Sequence, residues 1–72
     1  MKIDELHEWT GLKVSGCSNI LTSYVEGDYV SLNAWSHYLD TKHEGKLRIR
    51  RIHLGDWVMF VGEEERSLKD FV

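Results

Sequence analysis

Trp57 to Val61 is apolar at every position, and the run follows a Gly55-Asp56 pair that ends another strand-like stretch, Lys46 to Leu54. A strand with no polar residue on either side cannot leave one face in water, so both of its faces must be covered. In a chain of 72 residues this demand weighs on the whole fold. One face can pack on a helix. The other needs more chain or a second subunit, which predicts a homo-oligomer, a dimer or a tetramer with closed symmetry.

Two-residue turn signals set the expected strand pairings. With Gly55-Asp56 as a hairpin turn, Leu54 pairs with Trp57, His53 with Val58, Ile52 with Met59 and Arg51 with Phe60. Lys46, Arg48 and Arg50 alternate with Leu47 and Ile49, and then Arg50-Arg51 breaks the alternation. A β-bulge there accounts for the break. Asn19 to Ala34 reads as another hairpin about Gly27-Asp28, with Val25 facing Val30, Ser23 facing Leu32 and Leu21 facing Ala34. His37 to Gly45 turns the chain back between the hairpins.

Ile3, Leu6 and Trp9 share one side of a helical wheel, acidic residues fill the first turn and Gly11 supplies a stop. A helix is expected over residues 2–10, followed by a loop over Lys13 to Ser18. Glu63 to Arg66 reads as a solvated turn. Ser67, with Asp70 three residues on, reads as the cap of a last helical turn. The expected class is α+β in one domain, residues 1–72: a short N-terminal helix, an antiparallel meander of about four strands and a C-terminal helical turn. Gly27, Gly45 and Gly55 are expected to hold turns.

Thr41, Glu44, Gly45, then Gly55, Asp56, Trp57, Val58, then Gly62, Glu63 and finally Phe71 follow the order T-x-EG…GDW(I/V)…GE…F, with two residues rather than one between Thr41 and Glu44. This pattern resembles a family of small, largely uncharacterised bacteriophage proteins. Ile3, Leu6, Trp9 and Gly11 match that family's upstream I-x-x-W-x-G segment more loosely. The matching residues are turn and core types, so the resemblance implies a fold and a phage origin rather than an activity. The expected location is the cytoplasm, that of the host if the protein is phage-encoded.

Charge and composition narrow the function classes. The net charge is −3, against the basic field a general nucleic-acid binder needs. No apolar run approaches the ~20 residues of a membrane helix, and the first residues lack the apolar core of a secretory leader. Cys17 is the single cysteine, which offers no disulfide framework and fits a reducing compartment. A domain this small buries only ~60% of its unfolded surface, so a partner or a second copy would help to hold it.

No phosphate loop, dinucleotide fingerprint or nucleophile elbow is present. His7, His37, His43 and His53 have no metal-ligand spacing, so no metal and no cofactor is expected. The basic strand is the remaining candidate. Lys46, Arg48 and Arg50 share one face about 7 Å apart, and Arg binds phosphate or carboxylate in a bidentate way. Trp35 and Tyr38, on the preceding strand in this reading, would supply a stacking surface for a base. The plainer alternative is a charged, solvated edge.

These readings lead to a non-enzymatic phage-type protein that blocks a host process, such as an antiviral defence. It would do so by sequestering a small phosphorylated nucleotide signal or by occluding a host protein. An accessory structural, assembly or regulatory protein of the phage is the alternative. A metal-dependent hydrolase built on the histidines is the least favoured.

Overall fold

The computed structural model describes residues 1–53 and 55–72. Among these residues three helices, α1 (Ile3–Thr10), α2 (Val14–Glu26) and α3 (Tyr29–His43), precede three strands, β1 (Leu47–Arg51), β2 (Trp57–Val61) and β3 (Glu64–Ser67). A terminal 3-10 helix spans Leu68–Phe71. The class is α+β as expected, with three strands rather than about four.

Helix α1 follows the sequence closely. Leu6 is fully buried, Ile3 and Trp9 pack beside it, and Gly11 ends the helix at φ 76°. The Gly11 N–H donates to the His7 carbonyl at 2.8 Å, the single bond of an αL stop.

The hairpin expected over Asn19 to Ala34 is instead a pair of helices, α2 and α3. The expected loop at Lys13 to Ser18 and the turn-back at His37 to Gly45 are largely helical too. Gly27 and Asp28 are the reason. Gly27 sits at φ 69° and its N–H donates to the Tyr24 carbonyl, while the Asp28 N–H donates to that of Ser23. These are the two bonds of a Schellman stop. Asp28 then caps α3, its carboxylate accepting the Ser31 N–H at 3.0 Å. A helix stop followed by a helix start uses the same two residue types as a tight hairpin turn. Cys17, Ile20 and Leu21 on α2, with Leu32 and Leu39 on α3, recur at helical spacing and form the core. Val25 and Val30 do not face each other inward; they are exposed.

The sheet is an antiparallel meander in the order β1-β2-β3. Leu47 pairs with Val61, Arg48 with Phe60, Ile49 with Met59, Arg50 with Val58 and Arg51 with Trp57. The expected pairs of Arg51, Ile52 and His53 with Phe60, Met59 and Val58 are therefore displaced, and the Leu54–Trp57 pair lies outside the described residues. The turn is a longer loop, closed by the Ile52 N–H donating to the Asp56 carbonyl at 2.9 Å. No bulge is needed at Arg50-Arg51, because this register carries the alternation through to Arg51. Leu47, Ile49 and Met59 then lie on the core face. Ile52 has left the strand and is exposed, so it no longer obeys the alternation.

Glu63 to Arg66 is not a free turn. Gly62 and Glu63 alone make the turn, Gly at its first position, and Glu64 to Ser67 form β3. Ser67 caps the 3-10 helix by accepting the Lys69 N–H, which buries Leu68 and Phe71. Asp70 faces Arg66 at 3.8 Å. Trp57, Val58 and Met59 are all buried within one chain. The apolar strand thus imposes no requirement for a second subunit.

Candidate functional site

Helix α3 decides where the expected site residues go. Each helical residue turns the chain ~100°, so Leu32 and Leu39 point into the core while Ser36 and Asp40 flank them on the β1 side. Ser36 donates to the Ile49 carbonyl at 2.8 Å and accepts from Arg50 at 3.1 Å. Asp40 pairs with Arg50 at 3.1 Å. The helix in this way covers a carbonyl of the edge strand, which blunts it against further pairing.

Arg48 and Arg50 do project from the face opposite Leu47 and Ile49, as the alternation predicts. Both are already engaged. Arg50 is held by Asp40, Ser36 and its neighbouring carbonyl of Ile49. Arg48 lies over its cross-strand partner Phe60, 4.4 Å from the ring centre, and its Nε is buried without a partner. Lys46 is exposed ahead of β1.

Trp35 and Tyr38 are on α3, not on a strand. They meet edge to face at 5.6 Å. Tyr38 and Asp40 are two residues apart, ~200° around the helix, so the aromatic pair lies across α3 from the Arg50 cluster. The structure therefore does not gather Lys46, Arg48, Arg50, Trp35 and Tyr38 into one cleft. Trp35 leans on α2 instead: a Cβ built on Gly16 would lie 3.3 Å from its ring. Glycine there lets α2 and α3 approach.

Two concavities adjoin the aromatic pair. One, of about 310 Å³, runs between the start of α2 and α3, with Lys13, Ser15, Gly16, Trp35, Tyr38 and His43 on its walls. The other is shallow and mainly apolar, about 260 Å³, on the outer side of α3 against Ser31, Ala34, Trp35 and Tyr38. Val30, Ala34 and Tyr38 are spaced by one helical turn and form an outward row. Val30 is 80% exposed and Tyr38 49%. At the α2–α3 corner, Val25 and Tyr29 are also exposed, 56% and 46%. Tyr29 stacks on Trp57 at 6.5 Å beneath the Arg51 guanidinium.

Sequence reasoning missed this face. Its signal was present: Val30, Ala34 and Tyr38 at intervals of four, beside Leu32, Trp35 and Leu39 at intervals of three and four. A helix that is apolar on two sides hides its period, and Val30, Leu32 and Ala34 also satisfy a strand alternation.

Asp56 is a second missed centre. Its carboxylate accepts from the Tyr24 hydroxyl, from the Trp57 N–H at 2.9 Å and from the Ser67 hydroxyl at 3.0 Å. The Tyr24 hydrogen bond, helped by Trp57, Ser67 and the charge of Lys69, holds the Asp56 carboxyl below its ordinary range against the opposing effect of burial. Burial, with the hydrogen bond to and the charge of Asp56, pushes Tyr24 up to about 12. The cluster ties α2, the β1–β2 loop and β3 together.

Among the described residues no three His, Cys, Asp or Glu side chains converge as a metal set. Cys17 is buried, and burial raises its thiol above the ordinary value despite the hydrogen bond to Thr10. A thiol so placed is not an activated nucleophile. No described helix is long and apolar enough to cross a membrane. In comparisons with family models, with curated proteins and with solved structures, nothing matches this chain.

Proposed function

We propose that this chain is a non-enzymatic binding protein that blocks a host process by occluding a host protein, with the outer face of α3 as its contact surface. The exposed row Val30, Ala34 and Tyr38 is the observation that carries the reading. A folded chain this small gains nothing for its own stability from a large apolar side chain left 80% in water, and contiguous apolar surface of this kind marks interaction sites. Tyr is also a residue type enriched at the centres of protein interfaces. The resemblance to small phage proteins supports a host target, and the engagement of Arg48 and Arg50 within the chain weighs against a site built on the basic strand.

A second reading is sequestration of a small phosphorylated ligand, now in the groove beside α2. Trp35 and Tyr38 offer an aromatic wall, and Lys13 and His43 stand at the same groove. Its volume of about 310 Å³ is at the lower end for small-molecule sites.

An infection assay with bacteria expressing the protein separates the readings. Val30→Asp with Tyr38→Asp abolishes the effect on the host if the α3 face is the contact, while Lys13→Ala and Arg48→Ala/Arg50→Ala retain it. Loss with Lys13→Ala, together with calorimetric heat from a cyclic nucleotide, transfers the function to the groove. All variants are first checked for wild-type melting.

A further inference from the structure

We infer that the outer face of α3 also pairs with itself, so that the free protein is an antiparallel α3–α3 dimer whose contact surface is the one offered to the target. The inference rests on the reading of this face as a contact surface, and it names a second copy of the chain as the occupant in the absence of a target.

The row itself carries the symmetry. Val30 and Tyr38 stand one helical turn to either side of Ala34, the smallest residue of the three. An antiparallel crossing at Ala34 sets Val30 of one copy beside Tyr38 of the other, twice. The small central side chain lets the helices approach, and a large residue at each end closes over a smaller one. An isologous contact requires this kind of self-complementarity, in which each residue meets the counterpart of its own partner.

Charge selects the same arrangement. The corner where α2 meets α3 carries Glu26 and Asp28, both exposed. The far end of α3 carries Lys42, also exposed. Asp40 is paired with Arg50 on the β1 side, and the exposed Glu44 caps the helix two residues beyond Lys42, its charge offset by the exposed Lys46. An antiparallel pairing brings the acidic corner of each copy toward Lys42 of the other. A parallel pairing would set like charges together at both ends. The helix dipoles also oppose each other favourably in the antiparallel case.

Size is adequate but not generous. The 15 residues of α3 span ~22 Å, close to the 25 Å largest extent of the molecule. A standard interface takes ~800 Å² from each partner, about a sixth of the 4583 Å² surface. A single helix face supplies the lower part of that range. A contact of that size belongs with the weak, transient interfaces, one that a well-fitted target displaces.

Sedimentation equilibrium of the purified chain alone, from micromolar to sub-millimolar concentration, tests this without any host protein. The expected result is a monomer of 8.4 kDa passing to twice that mass. Val30→Asp, a change at an exposed position, leaves a folded monomer throughout. Glu26→Lys with Asp28→Asn, or Lys42→Glu, weakens dimerisation by about tenfold, and the combined reversal restores most of it. A chain monomeric at every concentration overturns the inference, as does a dimer that Val30→Asp leaves intact. A dimer indifferent to both single reversals overturns the antiparallel register. Each of these results leaves the infection assay to decide target binding on its own.

Discussion

Replacing Asp56 by Ala removes three hydrogen bonds to one carboxylate, from Tyr24, from the Trp57 N–H and from Ser67. Bonds to a charged group are worth ~1.5–3 kcal/mol each when buried. Tyr24 and Ser67 are only partly buried, so their hydroxyls recover water and the cost of each falls toward ~1 kcal/mol. With the bond from the buried Trp57 keeping its ~1.5–3 kcal/mol, the sum expected for Asp56→Ala is ~3.5–5 kcal/mol. A 72-residue domain has ~4–11 kcal/mol of total stability at the usual ratio per residue, so the loss is a large share of it. Asp56→Asn keeps the shape and one acceptor oxygen and loses about half as much. Tyr24→Phe costs ~1 kcal/mol in the wild type and almost nothing beside Asp56→Ala, because the partner is already gone. Urea unfolding followed by tryptophan fluorescence reads the wild type and all four variants, with Trp57 adjacent to the lesion. An Asp56→Ala midpoint indistinguishable from wild type, or an equal cost of Tyr24→Phe in both backgrounds, refutes the reasoning.

The same cluster predicts two pH limbs. Asp56 has a lowered folded value, so its contribution is present above the unfolded carboxyl pKa of ~3.9 and is lost as pH falls through the folded value; Asp56→Asn removes this acid limb. Tyr24 has a raised value, about 12, so its contribution is full below the unfolded phenol pKa of ~10 and is lost as pH rises toward about 12; Tyr24→Phe flattens that alkaline limb in melts taken across the range. Gly55 sits at φ 80° with open space where a Cβ would project, so Gly55→Val is penalised by backbone conformation alone, ~1–2 kcal/mol in a chemical melt; an unchanged midpoint contradicts this. Arg50→Ala removes an exposed pair with Asp40 and two part-buried hydrogen bonds, to Ser36 and the Ile49 carbonyl, and lowers stability by ~1–3 kcal/mol in the same assay, whereas Asp40→Ala, which removes the pair alone, costs at most ~1 kcal/mol; equal losses for the two would contradict this.

Local signals with one physical meaning were legible in the sequence. Ile3, Leu6, Trp9 and Gly11 specify a helix and its stop with no competing pattern, and α1 is there. The alternation of Leu47 and Ile49 with Arg48 and Arg50 fixes which face of β1 is buried. Ser67 reads as a cap because a short hydroxyl next to an apolar turn has few other uses. Signals with two meanings failed. Gly27-Asp28 serves equally as a hairpin turn and as a helix stop plus cap, and the β-branched and aromatic residues around it tipped the reading toward strands. Burial of Ile20, Leu21, Leu32 and Leu39 in one core overrides that propensity. The second hairpin slipped because Asp56 looks like a turn residue, whereas its carboxylate is occupied by residues distant in sequence. The candidate site depended on Trp35 and Tyr38 being on a strand beside β1. Once they lie on a helix, their side chains and the Arg50 cluster diverge around it.

The central claim is that the protein works through the outer face of α3, and site-specific photocrosslinking in the host cell tests it most directly. A photoreactive residue is placed at Ala34 on that face, and in a second protein at Glu65 on β3, away from it. Mass spectrometry then identifies the adducts, separating a host protein from a second copy of this chain. The account predicts an abundant adduct from position 34, lost on adding Val30→Asp, and none from position 65. A host adduct from position 65 with none from position 34 would contradict it.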